Sequence, residues 1–397
     1  MNRYLTLLAA LLLWGTTAPA AEIWVSPQGS DTASGQPGKP VATLRMALHK
    51  AREMRRLHSV GKGAAADVAG GIRIVVGGGT YRLDEPLFIR PEDSGTEDSP
   101  TIVEAAAGAA PVLSGGAAVE GWRRASRLPR LPKAAQGKVW EADAPTDGGR
   151  PMDFRQLWVN GKKATRARSV NDLDLMPHIL RVSKPTEQLW VPASALGALD
   201  SPANAELVIH QMWEIAVLRI KSITPRGDSA CLTFHQPESR LQFLHPWPPA
   251  VIQHDSLGGN STFFLAGAVE FLDSPGEWHY DAPRGKLYYY PRAGEDMATA
   301  EVVAPRLETL LRVEGTLDRP VRHVHLCGLA FEHSTWLRPA QRGHVPLQAG
   351  MYLIDAYKLR PPGTPAKPSL ENQAWVGRMP GGVTVKNAHH TRFVRCR

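Results

Sequence analysis

Three acids in the last third of the chain are candidates for bond-breaking chemistry: Glu332, Asp355 and Glu371. Hydrolysis of a glycosidic bond usually takes two carboxylates, about 5 Å apart for retention or roughly 6.5–9.5 Å for inversion. Glu332 stands between Phe331 and His333, so strand alternation sets it opposite both neighbours. Asp355 lies in the run Tyr352-Leu353-Ile354-Asp355-Ala356-Tyr357, whose rings could stack on a sugar. Each acid would serve equally well as a solvated or ion-paired residue, so no catalytic residue is assigned. His333, Trp336, Asp355 and Tyr357 are read as substrate-lining residues.

Other chemistries fit the residue pattern less well. Adjacent His389 and His390 would point to opposite faces of a strand, and no third ligand has regular spacing, so no metal site is expected. Gly77-Gly78-Gly79 is followed by Thr80-Tyr81, without the Lys-Ser/Thr of a phosphate loop. The triplet is read as a tight bend feeding a strand, where glycine tolerates positive φ. No clustered Asp offers calcium to a lyase-type reaction. Asp93, in Asp93-Ser94-Gly95, is a turn acid that accepts backbone hydrogen bonds. No cofactor is implied.

Turn-rich strands must position these residues. The 397-residue chain carries 36 Gly and 33 Pro, favouring short strands over long helices. Its formal charge of +8 is spread along the sequence. Nucleic acid is therefore not expected as a partner, while attraction to acidic substrates stays open. The partner class is a polysaccharide or oligosaccharide, and a monomer is expected. Met1-Asn2-Arg3, the apolar run Tyr4 to Trp14 and Ala18-Pro19-Ala20 make residues 1–21 a signal peptide, cut near Ala20 or Ala21. The run is too short to span a bilayer, and no later segment reaches that length. A secreted or periplasmic protein is expected. Cys231, Cys327 and Cys396 form no disulfide framework and are read as small core residues.

Four stretches follow. Residues 22–121 open with Ile23-Trp24-Val25, then an amphipathic helix from Thr43 to His58 with Leu44, Ala47, Leu48 and Ala51 on one face and Thr43 as its cap. Short strands come next at about ten-residue spacing. Residues 122–305 form a β-rich module with a hairpin at Asn160-Gly161 and another joining Trp278–Asp281 to Leu287–Tyr290. Trp278 is expected to pack between modules. Residues 306–397 hold a weak repeat, in which His323–Leu329 aligns with His390–Cys396 and Leu311–Val313 with Val383–Val385. A long Pro- and Gly-rich insertion, 335–382, separates its halves. Such units bury their apolar faces by stacking on one another.

Several segments, in order along the mature chain, resemble the exported right-handed parallel β-helix proteins grouped near glycoside hydrolase family 141. They are Trp24–Asp31, Gly78–Leu83, Pro91–Thr96, Val112–Gly116, Arg155–Lys162, Pro275–Trp278 and Gly328–Ser334. The resemblance implies an all-β fold, a pectate-lyase-like parallel β-helix with an N-terminal capping helix and an inserted β-domain. It also implies a polysaccharide-degrading glycosidase of α-L-fucosidase or xylanase type. A non-catalytic carbohydrate-binding or adhesion protein and a polysaccharide lyase are the alternatives. The chain stops at Arg397 in mid-strand. We therefore expect an N-terminal portion of such a protein, inactive and marginally stable alone, with Val385 and Phe393 exposed.

Overall fold

The computed structural model describes residues 20–62, 66–211, 214–244, 259–347, 350–356 and 374–397. The expected signal peptide lies outside them up to residue 19.

The helix Leu44–Ser59 starts where expected, because Thr43 accepts the Met46 amide and is itself gripped by Asp31. Its buried stripe, Leu44, Ala47, Leu48 and Ala51, packs on the strands Ala21–Val25 and Ile72–Val76. Two arginines from its other side also reach inward. Arg52 grips Asp93 through two hydrogen bonds, and Arg55 binds the Ser99 carbonyl and the Thr101 hydroxyl.

Parallel strands gather around this helix. Ala21–Val25, Ile72–Val76, Thr101–Ala105, Val324–Cys327 and Arg392–Val394 lie side by side in that order. Gly79–Arg82, Pro111–Ser114 and Ala330–Glu332 form a second sheet, and Leu87–Ile89, Leu311–Glu314 and Val383–Lys386 a third. Alternate side chains, among them Ile72, Ile74, Ile89, Leu113, Val313 and Leu326, fill one core. The two halves of the sequence repeat are neighbours here. His325 pairs with Arg392, Leu326 with Phe393 and Leu311 with Val383. His323 and His390 take the same left-handed backbone, φ 49° and 54°, and their rings stack at 4.7 Å. Neither ring belongs to a cluster of metal-ligating side chains among the described residues.

The class is all-β, but the pectate-lyase-like parallel β-helix expected for this chain is corrected. The strands are distributed over small sheets of two to six strands, and the largest, six-stranded, is antiparallel throughout. Between Ser114 and Leu311 no described residue adds a strand to these three parallel sheets. The result is an assembly of small sheets and not one continuous solenoid. The ten-residue strand spacing that suggested stacked coils is also the spacing of short hairpins; it counts strands without fixing the direction of their partners.

The antiparallel part has two cores. Leu207, Leu218, Leu232, Phe243 and Phe263 anchor one, on the six-stranded sheet. Phe154, Leu157, Trp278 and Tyr289 anchor the other. Trp278 is therefore buried inside a core at 1 % exposure, not between modules as expected. The Asn160-Gly161 hairpin is present, with both residues at positive φ and Trp158 facing Lys163. Strand Glu277–Asp281 pairs with Lys286–Tyr289 as the second hairpin. The insertion after Thr335 packs on this part: Val345, Leu347 and Leu353 enter the first core, and His344 bridges to Val217. Cys231 is buried, while Cys327 and Cys396 are half-buried; all three are free thiols.

Candidate functional site

The site grows from a row across the second parallel sheet. Arg82, Ser114 and Glu332 are in register on three adjacent strands. Leu113 points into the core, so alternation turns Ser114 and its two neighbours to the opposite face. Gly115 and Gly116 follow. A Cβ on Gly116 would stand 2.2 Å from Val303 Cγ1 and 3.1 Å from His333 Cβ, so only glycine lets the chains approach here.

His333 fills the space the glycines leave. Its backbone is left-handed, φ 61°, which is uncommon for a residue with a side chain. The turn swings the imidazole over Ser114, with Nδ1 2.8 Å from Oγ. Ser114 Oγ also accepts the Gly116 amide at 3.2 Å. Trp158, from the Asn160-Gly161 hairpin, meets the imidazole edge to face at 5.2 Å, and Lys163 lies over the indole. Burial lowers the His333 pKa; the charges of Glu332 and Glu301 oppose that shift without reversing it. The ring is thus neutral at pH 7 with two carboxylates close by. Glu301 also faces Arg82 at 3.9 Å, and Glu332 faces Arg397 at 3.6 Å. Both carboxylates are open to solvent and paired only loosely.

Three residues on, Trp336 belongs to a second group. Thr335 fixes the intervening turn by binding Gln156 and the Leu307 carbonyl, and the Leu337 amide binds Glu308. Trp336 meets His344 at 4.9 Å and Tyr352 at 5.5 Å, and Arg338 lies 4.3 Å over the Tyr352 ring. Burial, helped by Arg338 and Arg155, pushes the His344 pKa down to about 4.

Of the residues expected to line a substrate, His333 and Trp336 thus border two adjoining groups. Asp355 is half-buried and pairs with Arg240 at 2.5 Å, tying the insertion to the helix Glu238–Leu244. Tyr357 and Glu371 lie outside the described residues. Glu301, Ser114 and Trp158 were not singled out from the sequence. Ser114 could have been found from strand alternation just before a glycine pair, whereas Glu301 carries no local signal.

Comparison with known proteins now bears on this geometry. Residues 137–292 match the family model of the GH141 insertion domain. A solved structure named glycoside hydrolase shares 48 % sequence identity with a TM-score of 0.84, over 95 % of this chain and 61 % of that one. The chain is thus similar to the GH141 insertion domain over one segment and to a glycoside hydrolase over nearly all of its length. The chain spans about 61 % of the length of that solved glycoside hydrolase. A second solved structure, of XylC with xylose, is 14 % identical with a TM-score of 0.32, over 79 % of this chain and 36 % of that one, too slight a likeness to bear on fold or function. No curated protein matches.

Proposed function

We propose that the protein is an exported glycoside hydrolase acting on plant-type polysaccharide, and that the surface around His333 contacts the glycan. The observation that carries this reading is the 48 % identity to a solved glycoside hydrolase over 95 % of the chain. That surface suits the task chemically. Glu301 and Glu332 supply acceptors for sugar hydroxyls, neutral His333 supplies a ring nitrogen, and Trp158 and Trp336 supply apolar ring surface. These residues are assigned to binding and positioning. The bond-breaking pair is left unassigned.

The test is a screen of the natural gene product on fucosylated pectins and xylans. Release of free reducing sugar supports hydrolysis. Unsaturated, ultraviolet-absorbing products would make it a lyase, and binding without products a carbohydrate-binding protein. Trp336→Ala should raise KM at least several-fold with a smaller change in kcat if that surface holds the substrate.

A further inference from the structure

A cavity lies in the antiparallel part. It encloses about 380 Å³, within the usual range for ligand sites. Its floor is a charged triad. Glu206 is bound by both Nη atoms of Arg155, at 2.6 and 2.9 Å, and by Arg166 at 2.5 Å. Burial raises the Glu206 pKa, but the two guanidiniums overcome that and hold it at about 2. The triad therefore carries one negative and two positive charges and is mostly buried.

The walls extend that charge. Arg219, from the strand Ile215–Arg226, also lines the cavity, but Glu238 neutralises it with two hydrogen bonds. Lys221 is exposed at the rim, and no described residue pairs with it. Its position is unusual. Ile220 faces Phe234 and Ser222 faces Thr233, so Lys221 is the extra residue of a β-bulge. Bulges re-aim a side chain that regular pleating would send elsewhere. His235 stands beside it, and Asp153 is the one exposed acid of the rim. The lining also offers a ring surface: Tyr280, half-buried, stacked on Phe154 at 4.7 Å.

A cation surplus and an aromatic face in one cavity match a sugar ring that bears a carboxylate. We propose that this cavity binds a uronate residue of an acidic glycan, its carboxylate toward Lys221 and the Arg155–Arg166 floor and its ring against Tyr280. The inference rests on the glycoside hydrolase reading only in its choice of a glycan as ligand. Its lining shares no aromatic ring with the groups around His333 and Trp336.

Isothermal titration of the 397-residue chain tests it without any turnover. The probes are an oligogalacturonide, a neutral oligosaccharide of equal length, and sulfate. The acidic oligosaccharide should bind at least tenfold more tightly than the neutral one and weaken with salt. Lys221→Glu, on an exposed bulge, should lower that affinity at least tenfold while leaving the melting temperature unchanged; Tyr280→Ala should lower it too. Equal affinity for acidic and neutral sugars, unchanged affinity in Lys221→Glu, or full displacement by sulfate would each overturn the proposal. Hydrolysis by the natural gene product without uronate binding would sink this proposal alone. Uronate binding without hydrolysis of any glycan would sink the hydrolase reading and leave this one standing.

Discussion

Ser114 Oγ and His333 Nδ1 lie 2.8 Å apart across 219 residues of sequence. The pair ties the central strand of the second parallel sheet to the turn after its neighbour and fixes the His333 imidazole. Ser114→Ala would leave the Gly116 amide and the His333 nitrogen unsatisfied. An unmade buried hydrogen bond costs about 1–3 kcal/mol. We expect a lower midpoint in urea denaturation with an unchanged slope, and weaker binding to any glycan held on the surface around His333.

Gly116→Ala tests the close approach directly. The added methyl meets Val303 Cγ1 at 2.2 Å, and Val303 is pinned between neighbouring strands. Overpacking of this kind costs roughly 1–3 kcal/mol. Gly121→Ala has open space at its Cβ but φ 71°, so its cost is backbone strain alone. If Gly116→Ala melts no lower than Gly121→Ala, the glycine pair does not set the seat of His333.

Arg52 and Asp93 form a buried pair in which the carboxylate is wholly inaccessible. Burial raises the Asp93 pKa, and hydrogen bonds from Arg52 and the Arg90 amide pull against it. Removing one partner of such a pair costs about 3–5 kcal/mol. Arg52→Ala should therefore destabilise strongly, while the double variant with Asp93→Ala should cost clearly less than the two single changes combined. Strict additivity in the cycle would show that the two groups are not coupled.

Acid sensitivity should come in two stages. Burial pushes His279 and His344 down to about 4 from an ordinary 6.5. Their contribution is complete above pH 6.5 and is lost as pH falls toward 4, because the unfolded chain takes up protons that the folded one refuses. Glu206, held at about 2, keeps its contribution down to about pH 4.5 and loses it below. Denaturant titrations at pH 7, 5 and 4 should show stability falling between the first and last. His344→Asn should flatten that slope; an unchanged slope would show that His344 is not responsible.

What could be read from the sequence was local. The amphipathic helix with its Thr43 cap, the Asn160-Gly161 turn and Asp93 as a backbone acceptor each follow from residues within a few positions of one another. The repeat gave the correct register between Leu326 and Phe393, because stacking like on like leaves a trace in composition. Val385 and Phe393 stand exposed at 52 % and 39 %, on the outer strands of their sheets. The overall architecture was not legible, since strand spacing says nothing about which strands pair or in which direction. Nor was the Arg155–Glu206–Arg166 triad, whose members are ordinary polar residues until the fold brings them together. Asp355 shows the same limit: aromatic neighbours in sequence suggested sugar, but its partner is Arg240, far away along the chain.

Gly116–Ala118 pairs with Val302–Pro305, and the Arg306 amide closes on the Gly115 carbonyl. The two ends of a very long excursion are thereby clasped a strand's width apart. The entropy of closing a loop grows with its effective length, so a folded excursion costs the parallel sheets little more than a tight turn would. Leu311 can then find Leu87 quickly once the clasp exists, and only slowly before it. Once folded, the antiparallel part thus shortens the effective chain length between Ser114 and Leu311 to that of a turn.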